Sequence, residues 1–268
     1  MLMRIGYEIG FELPAATPII CLLYVHPEVA GRLQQPETLQ FEPPLSVTQF
    51  MDAFGNHAAR IYAPAGDLLI RFDNVIEASA EPEQAFPNAR QHPVEDLPAE
   101  TLQFLLASRY CEVDRLADEA WRLFKDSPPG WSRVQAICDW VYAWIEFGYP
   151  HARPTKTAYD VFVERKGVCR DFMHLAITFC RCVNIPARYA TGYLADIGVP
   201  PSANPMDFSA FFEVYLDGAW HPFDARNNIR RTGRVLMARG RDAADTALTT
   251  AFGEATLRKF EVWTDEVL

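Results

Sequence analysis

A cysteine followed by a helical apolar pattern is the strongest chemical signal in the sequence. In Lys166-Gly167-Val168-Cys169-Arg170-Asp171, Gly167 frees the backbone, and Phe172, Met173, Ala176, Phe179, Cys180 and Val183 then recur at helical spacing until Asn184-Ile185-Pro186 ends the pattern. Cys169 is therefore expected in the first turn of a helix with a buried face. Unpaired N–H groups and the helix dipole at that position favour negative charge, which would lower the thiol pKa and supply a thiolate nucleophile for attack on a carbonyl. The competing reading is a cysteine that packs as a small hydrophobe.

A thiolate needs a proton partner. His174 lies five residues further along the same helix, about 140° around its axis on the face shared with Arg170, Thr178 and Arg181, and so is expected to be structural, as a buried or helix-helix hydrogen-bonding histidine. The next segment carries a hairpin signal, because Asp217-Gly218 is a two-residue turn between Phe208–Leu216 and Ala219–Asp224. That register puts Phe208, Ala210, Phe212, Val214 and Leu216 on one apolar face with Ala219, His221, Phe223 and Ala225. Ser209, Phe211 and Glu213 share the other face with Pro222, Asp224 and Arg226, and Ser209 and Asp224 come out as diagonal neighbours roughly 5–8 Å apart. Glu213 is expected to pair with an arginine. His221 falls on the wrong face, and His151 sits in a loop ahead of the cysteine helix.

The run Gly167-Val168-Cys169-Arg170-Asp171-Phe172-Met173-His174-Leu175, then Ile185-Pro186-Ala187-Arg188-Tyr189, Gly192-Tyr193, Phe212-Glu213-Val214-Tyr215, Trp220 and Phe223-Asp224 resembles the core of the bacterial transglutaminase-like superfamily. The resemblance covers roughly the last 170 residues and implies a papain-like fold with a Cys-His-Asp triad. It makes Cys169 the nucleophile and Asp224 the carboxylate that orients the histidine. Ser209 stands where many members carry that histidine, and a neutral hydroxyl cannot accept and return the thiol proton as an imidazole does. The candidate catalytic residues are Cys169, Asp224 and Ser209, with His151 or His221 as weaker replacements for the missing base, and Asn227 or Asn228 as hydrogen-bond donors near the cleft.

The elements that must position these residues divide the chain in two. Residues 1–95 are expected to form an antiparallel β-rich domain, with strands over Arg4–Leu13, Thr17–His26, Arg60–Tyr62 and Leu68–Ile76. A Pro-rich connection, Glu81–Asp96, leads to residues 96–268, the transglutaminase-like domain of an α+β chain. Helices are expected over Ala99–Leu106, Asp114–Phe124, Arg133–Phe147 and Ala158–Glu164, with Trp140, Tyr142, Trp144 and Phe147 read as core rather than as a substrate platform. Arg230, Arg231, Arg234, Arg239 and Arg241 read as partners in structural ion pairs, and Leu257–Trp263 as a last strand closing the second domain's sheet.

Composition narrows the function. The 268 residues are 49% hydrophobic and 22% charged, with a formal net charge of −10, which argues against nucleic-acid or anionic-membrane partners. Arg4, Glu8 and Glu12 interrupt the first apolar stretch, so no signal peptide is expected, and six cysteines then read as reduced thiols of a cytoplasmic protein. Cys180 and Cys182 point about 200° apart on a helix, which disfavours shared metal ligation. No cofactor or metal is expected. Two function classes follow: a cysteine hydrolase or acyltransferase acting on amide bonds of peptides or proteins through a Cys169 thioester, or a catalytically inactive module of the same fold that binds a peptide or protein partner.

Overall fold

The computed structural model describes residues 1–200 and 206–267. In chain order the first elements are β1 (Leu2–Leu13), β2 (Thr17–Cys21), α1 (Pro27–Ala30), β3 (Gln40–Glu42), β4 (Val47–Met51), β5 (His57–Ala63) and β6 (Gly66–Glu77). Next come α2 (Ala99–Leu102), α3 (Val113–Phe124), α4 (Trp131–Trp144), β7 (Glu146–Phe147), α5 (Ala158–Glu164), β8 (Lys166–Gly167) and α6 (Cys169–Cys182). The chain ends with β9 (Ala187–Tyr193), β10 (Ser209–Leu216), β11 (Ala219–Phe223), β12 (Val235–Gly240), β13 (Thr249–Ala251) and β14 (Thr256–Val267).

Two sheets of the first unit run in the orders β14-β1-β6-β3 and β13-β2-β5-β4, and the cleft-bearing sheet runs β11-β10-β9-β12. The alternating burial of β6 and the near-continuous burial of β1 follow from their places in the sheet. The inner sides meet over Met3, Ile5, Tyr7, Ile9, Ile19, Ile61, Ile70 and Phe72. A second core forms where α3, α4 and α6 pack on β9, β10 and β11 around Ile137, Phe172, Phe179, Phe212 and Val214. The aromatic stripe of α4 belongs to it: Trp140 stacks on Trp144 at 4.6 Å and meets Phe179 edge-on at 5.4 Å, whereas Tyr142 is exposed.

The last strand departs from expectation. β14 does not extend the β11-β10-β9-β12 sheet but pairs antiparallel with β1 from Leu2↔Val267 to Glu12↔Thr256, and β13 pairs with β2. β14 is mostly exposed, burying only Val262 and Thr264, so its place is set by the open backbone edge of β1, which it pairs along nearly its whole length. The division at residue 95 therefore does not describe the strand pairing, since both ends of the chain meet in one sheet. The 81–96 connection is packed as well: Glu83 N–H donates to Arg231 O at 3.0 Å, and Ala89 O accepts from Trp131 N–H at 3.0 Å.

Helix α6 is enclosed almost all round, with every residue from Asp171 to Cys182 buried. Most polar groups inside it are satisfied, the exception being His174 Nδ1, which is buried and has no hydrogen-bond partner among the described residues. Arg181 donates to Ala187 O, Leu106 O and Ser108 Oγ, and Thr178 donates to His174 O. His174 is fully buried, as its position on the helix suggested, lies flat on Tyr110 at 4.9 Å and accepts the Ala243 N–H through Nε2.

Candidate active-site cleft

Cys169 is held by the chain just ahead of it. The Asp171 carboxylate, fully buried, accepts the Val168 N–H at 2.9 Å and so closes the first turn of α6. Gly167 is required there, because a Cβ would lie 2.7 Å from Asp171 Cβ. Glu146–Phe147 and Lys166–Gly167 pair as parallel strands, and the buried Lys156 ammonium donates to Lys166 O at 3.0 Å and pairs with Glu164 at 3.0 Å. These contacts fix the segment that delivers the thiol.

The thiol is half-buried and lines a cleft of about 540 Å³ with Phe147, Tyr149, Asp207, Ser209 and Arg226. Leu194–Gly198 and Thr264–Glu266, with Met206, Phe208 and Arg231, complete the lining. Arg226 lies over the Phe147 ring at 4.1 Å, and Phe147 meets Tyr149 edge-on at 5.4 Å. Opposite Ser209 in the sheet stands Gly192, where a Cβ would come within 1.9 Å of Val235 O, so only glycine lets β12 close against β9 behind the cleft.

The electrostatics run against the expected activated thiol. Burial and then the Asp207 carboxylate push the Cys169 thiol up, and the Ala210 N–H, Arg226 and the Arg170 N–H pull it down by less. The balance lies above the ordinary thiol value, so the dipole effect expected from position is outweighed by desolvation. Asp207 is itself raised, first by burial, with the Phe208 N–H and Arg226 opposing.

Of the three candidate residues, the structure brings Cys169 and Ser209 together in this cleft but leaves Asp224 out of its lining. The hairpin register is as expected, with Leu216↔Ala219 and Phe212↔Phe223 paired, but β11 ends at Phe223 and the chain turns at Asp224. The Asp224 oxygens accept from Arg226 N–H at 3.1 Å, Asn227 N–H at 2.9 Å and Asn227 Nδ2 at 2.8 Å, and from Arg234 at 3.3 Å. With a hydroxyl at 209 in place of a ring nitrogen, those donors occupy the carboxylate.

None of the six histidines lines the cleft. His221 is on the apolar face, where its Nε2 meets Leu216 O at 3.1 Å and its ring packs 4.7 Å from Phe86. His151 sits beside Glu146 at 3.9 Å. Asn227 is spent on Asp224, and Asn228 donates to Asp139 at 2.8 Å, so neither serves the thiol. Glu213 pairs with Arg188 at 2.6 Å and Arg239 at 2.8 Å, Arg231 with Asp196, and Arg234 with Glu83 and Asp224. The arginine run is thus largely structural.

The sequence reading missed Asp207 and Tyr149 as neighbours of the thiol. Asp207 stands two residues before Ser209, so strand alternation alone would have put both on one face; Tyr149 follows Phe147 by the same interval. Among the described residues no group of three His, Cys, Asp or Glu side chains is placed to hold a metal ion.

The model of the transglutaminase-like superfamily matches residues 120–225, a span that includes Cys169, Ser209 and Asp224. The crystal structure of "a putative cysteine protease from Cytophaga hutchinsonii" is 32% identical and superposes with a TM-score of 0.85, covering 98% of this chain and 90% of that one. An uncharacterized protein of Mycobacterium leprae (strain TN) is 26% identical over 210 residues, which make up 74% of this chain and 73% of the other.

Proposed function

The chain belongs to the transglutaminase-like superfamily, and from that premise we propose that its Cys169 cleft binds a segment of peptide or protein and carries out no Cys–His acyl transfer. The observation behind this reading is the absence of all six histidines from the cleft. A neutral imidazole beside a thiol takes its proton and then, as imidazolium, stabilises the thiolate that remains. Ser209 does neither, and the neighbouring Asp207 carboxylate destabilises a thiolate by like charge. What remains is a cleft of about 540 Å³ lined by Phe147, Tyr149 and Phe208 among polar residues, which supports binding of a chain.

A second reading, amide hydrolysis or acyl transfer through a Cys169 thioester, is favoured by one observation. The N–H groups of Ala210 and Arg170 face the sulfur and stabilise negative charge there. A panel of glutamine-containing peptides, assayed for ammonia release and for amine incorporation, separates the two. The binding reading predicts no turnover by the wild-type protein together with peptide protection of Cys169 from alkylation. Turnover that disappears in Cys169→Ala would establish the second reading instead.

A further inference from the structure

We infer that the cleft receives its peptide as an added strand along the free edge of β14, an inference that rests on the binding reading above. Thr264, Asp265 and Glu266 all line the cleft. Successive side chains of a strand point to opposite faces, so three consecutive residues that border one cavity turn the strand's edge or its end toward it, and here they lie near the C-terminal end of β14. That edge is open. β14 is outermost in its sheet, its inner side is paired with β1, and among the described residues no other backbone group hydrogen-bonds to it.

An unpaired strand edge is a template for another chain, and proteins guard such edges with charged side chains, prolines, bulges or short strands; the cationic guards of β14, Arg258 and Lys259, lie at the end away from the cleft. β14 has 12 residues and no proline, and its bulge, opposite Gly10/Phe11, lies at the end away from the cleft. Of the charges it carries beside the cleft, both exposed, Asp265 stands opposite Arg4 and is attracted to it without a close ion pair, and Glu266 closes none among the described residues, so this end disfavours acidic chains and admits neutral or basic ones. A second observation points the same way. Thr264 lines the cleft, and among the described residues its buried hydroxyl has no hydrogen-bond partner, which a peptide amide settling along the edge would supply. Two other parts of the lining, Leu194–Gly198 and Met206–Ser209, are also runs of consecutive residues, which suits main-chain recognition with little demand on sequence.

The test uses an acetylated, amidated decapeptide of alternating valine and lysine, its valine–glutamate counterpart, and versions of the first N-methylated on even or on odd amides. Binding is read by calorimetry, and occupancy of the cleft by protection of Cys169 from iodoacetamide. Strand addition predicts that the lysine peptide binds at least about tenfold tighter than the glutamate peptide, that one N-methyl parity abolishes binding, and that the other leaves it within about twofold. Alternate residues of an edge strand aim their N–H outward, so of Asp265→Pro and Glu266→Pro the one that keeps the wild-type Tm should weaken binding at least about tenfold. If the peptide protects Cys169 but neither N-methyl parity nor that proline variant changes its Kd, strand addition is wrong and the binding reading stands. If none of the peptides protects Cys169, both fall.

Discussion

Ser209 lines the same cleft as Cys169, one residue before the Ala210 amide that faces the sulfur. The strand thus brings a side chain to the place from which a base would act, and that side chain is a hydroxyl. Ser209→His should therefore supply what the cleft lacks. The imidazole would pair with the thiolate, and we expect Cys169 alkylation at pH 7 to rise about tenfold or more, read by mass spectrometry of the modified peptide. An unchanged rate would mean that position 209 does not reach the thiol.

Asp224 should behave as a structural residue. Its carboxylate accepts from Asn227 and from Arg226 N–H and pairs with the buried Arg234, which also pairs with Glu83. Asp224→Ala removes one side of a buried pair and is expected to cost about 3 kcal/mol in urea unfolding. The alkylation rate of Cys169 should stay within about twofold. A loss of reactivity without a loss of stability would return Asp224 to the chemistry.

Gly192→Ala tests the wall behind the cleft. The new Cβ would meet the Val235 carbonyl at 1.9 Å, and because that atom is backbone it cannot swing aside. We expect a destabilisation of about 3 kcal/mol or more, or failure to fold, measured by thermal unfolding. Wild-type stability would mean that β12 can shift away from β9 at little cost.

His26 gives the fold an acid limit. It caps α1 by accepting the Glu28 N–H at 3.2 Å, and burial first, then Arg239, holds its pKa down at about 4, with Glu28 and Glu213 opposing and Arg188 reinforcing. An unfolded chain titrates this group near 6.5, so between those values the unfolded state binds more protons and stability falls as pH drops. The contribution is complete above pH 6.5 and lost on the way to pH 4. Unfolding free energies of His26→Gln should show a shallower slope across that window than wild type, and identical slopes would contradict the assignment.

Much of this architecture could be read in advance. Asp217-Gly218 set the hairpin register, and the apolar repeat set α6 and placed Cys169 at its first residue. Glu213 also took the arginine partner expected of it, and His174 is buried as expected, although its partners, the Tyr110 ring and the Ala243 N–H, were not foreseen. Three things could not be read because they depend on which elements meet in space. β14 returns to β1 across the whole length of the chain, a pairing that local periodicity does not encode. The thiol's raised pKa comes from burial and from Asp207, not from the helix start alone. Asp224 turned out to be occupied by Arg234 and Asn227, donors that a hairpin diagram leaves out.

The most direct measurement is the rate of Cys169 alkylation by iodoacetamide from pH 5 to 10, with the Cys169→Ala protein subtracted to remove the other five thiols, all buried. A cleft without a base predicts a rate that stays low through neutrality and still climbs above the ordinary thiol value of roughly 8.5. A plateau reached by pH 7 would mean a stabilised thiolate and would contradict the binding reading.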